Sequence, residues 1–252
     1  MPTVALNGFE MYFEDRGSGE PLLLLHGGMG IGDDWRHVFP RDPDGYRVVV
    51  PDLRGHGRST SPVETFSIRR CAADVLALLD HLSIQRTRAI GLSLGAKTLL
   101  HLATAQPNRV EAMVLVSATP HFPQPLREAA ARFTRASIEH LSAADLDALR
   151  ARHVHGDEQI ARLYDMMRSF ATSHDDMAFT AAALGTITAR TLIVHGEDDP
   201  YYPTEMAAEL ARGIPNSTLW IVPGGSHGPV FGTMAEPFAS RALAFLATAT
   251  SL

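Results

Sequence analysis

The chain has 252 residues, 45% of them hydrophobic, one cysteine and a formal net charge of −6 at neutral pH. Such a chain can bury a full core in one or two domains, and its acidic balance argues against a nucleic-acid surface, which would be basic. Cys71 alone cannot form an internal disulfide, and neither a secretory leader in MPTVALNG nor a membrane-length apolar run is evident, so a soluble cytoplasmic protein is expected.

Asn7-Gly8, set between Val4 and Leu6 on one side and Phe9 and Tyr12 on the other, predicts a two-residue hairpin. Leu22–Leu25, Val48–Val50, Arg88–Ile90 and Met113–Val116 follow as short apolar runs bounded by turn residues. Runs of this kind predict strands buried on both faces of a parallel sheet. Between the second and third runs, Ile68, Cys71, Val75, Leu78, Leu79 and Leu82 recur at helical spacing over Ser67 to Leu82. A second helix is predicted to start after Gly95 and end near Pro107. Strand alternating with helix predicts a mostly parallel, doubly wound α/β sheet with right-handed crossovers.

The pattern changes after Ser117. Residues 120–188 offer only helical candidates, at Leu126–His140, Ala143–Arg152 and Glu158–Phe170. Thr191–Val194 and Leu219–Val222 then resume the strands, and Glu236–Ala247 predicts a closing helix. An insertion this long is no ordinary loop, so a core of 1–119 and 189–252 is expected to carry a helical cap of 120–188. No repeat or low-complexity segment is evident.

The stretch AIGLSLGAKTLL (89–100) can be parsed in two ways. As Gly-x-Ser-x-Gly it puts Ser93 on a sharp strand-to-helix turn. As a phosphate-binding loop it has Ala96 where a glycine must let the backbone approach a phosphate, and the candidate acid Asp52 precedes it instead of following. The glycines of His26-Gly27-Gly28-Met29-Gly30 likewise begin a dinucleotide fingerprint, but Asp33 stands at the third glycine position and Pro40 cuts the following helix short.

The serine reading demands a base, an acid to orient it and donors for an oxyanion, all gathered at strand carboxyl ends. The chain supplies His26-Gly27-Gly28 after one strand, Glu197-Asp198-Asp199 after another and Ser226-His227 after a third. Nucleophile, acid and base thus come in the order Ser, Asp, His, each beyond a predicted strand. The serine reading accounts for more of the chain.

With "LLLLHGG" (22–28), "VVVPDLRGHGRS" (48–59), "GLSLG" (91–95), "LIVHGEDDP" (192–200) and "GGSHGP" (224–229), the sequence resembles the α/β-hydrolase fold family in its small, capped, cofactor-free form. The resemblance runs from first hairpin to last helix and is weakest in the cap. It implies Ser93 as nucleophile, Asp199 as orienting acid, His227 as base and the backbone N–H groups of Gly28 and Leu94 as oxyanion hole. Asp198 is the alternative acid. Serine at 93, where some relatives carry aspartate, points away from dehalogenase and epoxide hydrolase chemistry.

The expected reaction is hydrolysis of a small to medium, largely apolar ester or lactone through an acyl-enzyme, without metal or other cofactor and without nucleic-acid or membrane partner. C–C bond hydrolysis or perhydrolysis with the same triad, and a non-enzymatic ligand receptor, are the alternatives. Met29, Phe122, Met166, Phe170 and Val230 are the candidate substrate contacts, and Tyr164, Met167 and Met177 extend the candidate roof. His26, Asp52, Arg54 and His56 are expected to support the site from behind, and His153-x-His155 to lie on a solvated cap surface. Lys97 is left open between solvated and paired, and oligomeric state is open.

Overall fold

The computed structural model describes residues 2–60 and 66–248. The outermost residues of the expected core segments, 1 and 249–252, and residues 61–65 lie outside them. Asn7 and Gly8 both take left-handed backbone angles, φ 46 and 83, and turn Thr3–Leu6 (β1) onto Phe9–Gly17 (β2) with Leu6 opposite Phe9.

Six further strands complete the sheet: Glu20–Leu25 (β3), Tyr46–Pro51 (β4), Thr87–Leu92 (β5), Val110–Val116 (β6), Arg190–Gly196 (β7) and Ser217–Val222 (β8). The order is β1-β2-β4-β3-β5-β6-β7-β8, antiparallel through β2–β4 and parallel from there on.

The unbroken apolar runs have a physical cause. Leu23 and Leu25 join one core with helices Ile68–His81 (α1) and Leu94–Ala105 (α2), while Leu22 and Leu24 join a second core with Trp35 and Phe238. With both faces covered, alternation has no polar side to show. Ser67 starts α1, its hydroxyl accepting the Arg70 N–H at 3.2 Å. Thr204–Gly213 (α8), between β7 and β8, was not anticipated from periodicity; the closing helix is Ala235–Ala247 (α9).

Between β6 and β7 the structure places only helices and turns, apart from an isolated bridge between His121 and Ala178. The helices are Gln124–Ala130 (α3), Arg135–Ile138 (α4), Ala143–Arg152 (α5), Asp157–Ser169 (α6) and Ala181–Leu184 (α7). The single helix expected over Leu126–His140 is two. Thr134 interrupts it by accepting the Ser137 N–H at 3.0 Å, while Ser137 Oγ accepts the Thr134 N–H at 3.1 Å; this reciprocal cap starts a new helix. Among the described residues no helix is long and apolar enough to cross a membrane.

Candidate active site

Ser93 connects β5 to α2 with φ 49 and ψ −102, a backbone state that costs on the order of 1–3 kcal/mol for a residue with a side chain. Its flanking glycines make the turn feasible. A Cβ on Gly91 would lie 2.6 Å from the Gly95 backbone, and one on Gly95 would collide with the Leu25 carbonyl oxygen. The Gly95 N–H bonds the His26 carbonyl at 3.0 Å, which ties the start of α2 to the loop after β3. As the first helical residue, Leu94 has no carbonyl one turn earlier for its N–H to meet.

The loop carrying Gly28 is held by buried polar groups. His26 Nδ1 donates to the Gly27 carbonyl at 2.7 Å while Nε2 accepts the Leu53 N–H at 2.9 Å, a pair of bonds that assigns the neutral Nδ1–H tautomer. Burial lowers its pKa and so favours that neutral form. Asp52 accepts the Gly32 and Arg58 N–H groups, both at 2.8 Å, and Arg54 grips Asp74 at 2.5 and 2.8 Å. His56 Nδ1 bonds the Arg54 carbonyl at 3.0 Å. Burial pushes the His56 pKa well down, keeping it uncharged. None of these four side chains lines the cavity over Ser93.

Asp199 follows β7 and His227 follows β8, and they meet with Oδ2 to Nδ1 at 2.8 Å. The other carboxylate oxygen accepts the N–H groups of Tyr201 and Tyr202 at 2.9 and 3.1 Å. Burial works to raise the Asp199 pKa, but the His227 bond and charge and the two N–H groups outweigh it and hold the carboxyl below its ordinary value. The neighbouring acids point elsewhere: Glu197 accepts the Gly224 N–H at 3.0 Å, and Asp198 is exposed. With Nδ1 donating to Asp199, His227 Nε2 is left as acceptor. Ser117 Oγ accepts the Gly228 N–H at 3.0 Å and fixes the histidine loop from β6.

A cavity of about 210 Å³ has Ser93, Leu94, Gly28 and His227 on its wall, with Asp199 behind His227. Ser93 and His227 share this wall without a direct hydrogen bond, and Tyr202 lines it beside them. Of the expected substrate contacts, Met29 and Phe170 line the cavity. Phe122, Met166 and Val230 do not. Phe122 stacks on Phe170 at 4.9 Å between centroids within the core, Met166 is buried in that same core, and Val230 belongs to the core on the opposite sheet face. Met167, half-buried and one position on from Met166, reaches the cavity, joined by Leu126, Ala129 and Phe133.

His153 departs from the expected solvated surface, and Lys97, left open by the sequence, takes a definite place. His153 is fully buried, not solvated: Nδ1 accepts the Gly57 N–H at 2.9 Å, and the ring packs 6.2 Å from His56. Only His155 is exposed. Lys97 is 1% exposed and on the cavity wall, where Nζ donates to Tyr202 Oη at 2.6 Å. Among the described residues no three His, Cys, Asp or Glu side chains converge as a metal would need.

Residues 20–174 match the sequence profile of the alpha/beta hydrolase fold, and residues 169–251 match one described as TAP-like protein. A 2-hydroxy-6-oxononadienedioate/2-hydroxy-6-oxononatrienedioate hydrolase of Cupriavidus pinatubonensis is 30% identical over 84% of this chain and 82% of its own. A non-heme haloperoxidase of Rhodococcus erythropolis is 30% identical over 90% of this chain and 93% of its own. The solved enol-lactonase of Burkholderia xenovorans LB400 superposes with a TM-score of 0.78 at 23% identity, covering 98% of this chain and 100% of that one.

Proposed function

The chain belongs to the α/β-hydrolase fold family, and from that premise we propose that it is a serine hydrolase that cleaves a small to medium, largely apolar carboxylic ester or lactone through an acyl-enzyme. The observation that carries this reading is the meeting on one cavity of a strained Ser93, His227 backed by Asp199, and Gly28 and Leu94, whose N–H groups bond no described residue.

In this mechanism the Ser93 hydroxyl turns to His227 Nε2 as substrate enters, and His227 takes its proton as Oγ attacks the carbonyl. The N–H groups of Gly28 and Leu94 receive the developing oxyanion. Asp199 holds the imidazole tautomer and stabilises the imidazolium, which then protonates the departing alcohol. Water, activated by the same histidine, releases the acid. At about 210 Å³ the cavity falls below the usual range for drug-sized ligands, which favours a short acyl group.

The same groups serve hydrolytic C–C cleavage, the reading favoured by the relative named for 2-hydroxy-6-oxononadienedioate hydrolysis. A panel of p-nitrophenyl esters of graded chain length, several lactones and a vinylogous diketone separates the two. Ester or lactone turnover that falls about three to four orders of magnitude in Ser93→Ala supports the proposal. Turnover confined to the diketone replaces it with the C–C reading. An organophosphonate is expected to label the protein once, on Ser93.

A further inference from the structure

Lys97 lies one helical turn beyond Ser93, in a helix buried from Leu94 through Ala103. An ammonium taken from water into such a site is costly unless it is paired. Among the described residues Nζ makes one hydrogen bond, to Tyr202 Oη at 2.6 Å, and stands 5.0, 5.4 and 5.7 Å from the ring centroids of Tyr202, Phe122 and Phe170. The π-faces of Phe122 and Phe170 favour the charged form but satisfy none of its remaining N–H groups.

The carboxylates whose charge it feels are Asp199 and Asp176, and both are committed elsewhere. Asp199 spends its oxygens on His227 and on the Tyr201 and Tyr202 N–H groups. Asp176 spends its own on the N–H groups of Ile68 and Arg69, at 2.6 and 3.2 Å. Among the described residues none forms an ion pair with Lys97. A methionine would fill this aromatic enclosure with no charge to bury, so stability does not explain a lysine here. The side chain instead belongs to the wall of the cavity that holds Ser93, with N–H groups that no described residue accepts.

We propose that Lys97 forms an anion subsite in this cavity and receives a carboxylate group of the ligand through charge-assisted hydrogen bonds from Nζ. The ligand's carboxylate is either one carried by the substrate away from the bond that breaks, or the one released by hydrolysis. Assigning it to a substrate rests on the hydrolase reading of Ser93; binding of the anion does not.

Burial lowers the Lys97 pKa to about 7 against the opposing pull of Asp199 and Asp176, so binding is measured at pH 6, where the ammonium is charged. Titration calorimetry compares hexanoate with hexanamide, which has the same shape and no charge, on wild type, Lys97→Met, Lys97→Gln and Tyr202→Phe. The expected result is hexanoate bound about tenfold or more tightly than hexanamide by wild type, from the stronger charge-assisted bonds. The ratio is expected to approach one in both Lys97 variants and to persist in Tyr202→Phe, which keeps the ammonium. Melting temperatures identify any variant that fails to fold, and the glutamine variant stands in if methionine does.

No preference in wild type overturns the proposal, and so does a preference that survives loss of Lys97, since the anion then sits at the oxyanion donors or His227. A second arm compares kcat/KM for monoethyl adipate and ethyl hexanoate. Preference for the charged ester, lost with Lys97, assigns the carboxylate to the substrate. Equal rates alongside Lys97-dependent hexanoate binding assign the subsite to the released acid. Lys97-dependent binding without turnover of either ester leaves the subsite standing and removes the ester reading of Ser93.

Discussion

The loops at the carboxyl ends of the strands and the helices between β6 and β7 meet over one cavity, yet they are built in opposite ways. In the loops nearly every placement follows from a close backbone contact: Gly95 against Leu25, Gly228 on Ser117 Oγ, and two consecutive N–H groups on one Asp199 oxygen. In the roof, placement rests on side-chain packing, and neighbours such as Met166 and Met167 divide between core and cavity. Chemistry needs positions fixed to a fraction of an ångström, and backbone hydrogen bonds supply them. Shape selection tolerates the looser placement that packing gives.

The sharpest test of this contrast lies among the adjacent acids. Asp199→Asn is expected to lower kcat/KM by about three to four orders of magnitude with little change in melting temperature, because an amide favours the wrong His227 tautomer. The exposed Asp198, replaced in the same way, is expected to change the rate less than about threefold. The reverse ranking would break the account of the loop.

His153 tests whether the roof is fastened to the loops. Burial holds its pKa at about 4 against 6.5 for a free imidazole. Between those values the unfolded chain binds a proton that the folded chain refuses, so stability falls as pH drops from 6.5 toward 4. Asn at 153 keeps an acceptor for the Gly57 N–H and does not titrate. Urea midpoints at pH 7 and pH 5 are expected to show wild type losing about 2 kcal/mol more than His153→Asn across that step. Equal losses would mean that folded His153 takes up its proton as readily as it does in the unfolded chain.

The smallest expected effect separates the two methionines. Met167→Ala is expected to shift relative rates across acyl chain lengths severalfold, in line with the modest discrimination an apolar wall provides. Met166→Ala is expected to cost about 2–5 kcal/mol of stability and leave the chain-length profile unchanged. A profile that moves with Met166 and not with Met167 would reverse the assignment of the roof.

What the sequence made legible follows the same division. The strands could be found because burial on both faces leaves runs such as Leu22–Leu25 unbroken, and Gly91 and Gly95 marked Ser93 because its turn admits no side chain on either flank. Asp199 was preferred to Asp198 because the resemblance places the acid three residues after Gly196 and Pro200 restricts its backbone, and Asp199 is the one that meets His227. The break at Thr134 had a signal that periodicity overrode, the Thr-x-x-Ser cap. Lys97 also had one: it is the only formally charged side chain in Leu94–Ala105, and a helix apolar on all sides takes any charge it carries inside with it. Nothing local told Met167 from Met166, because both are apolar and their division depends on the tilt of α6. His153 was misjudged for a similar reason, since its partner is the Gly57 N–H, distant in sequence.

The adjacency of β6 and β7 has a consequence for how the chain is born. Val116 pairs with Val194, and the Ser117 N–H bonds the Val194 carbonyl, so the edge of β6 is completed by residues that leave the ribosome much later. With roughly seventy residues intervening and synthesis at about 5–20 residues per second, that edge waits several seconds without its partner strand. During this interval the nascent chain presents a row of unpaired backbone groups beside apolar β6, the kind of surface that recruits other strands. The helices that later roof the cavity are the segment made in that gap, and their early collapse onto β6 would shield the edge until β7 arrives.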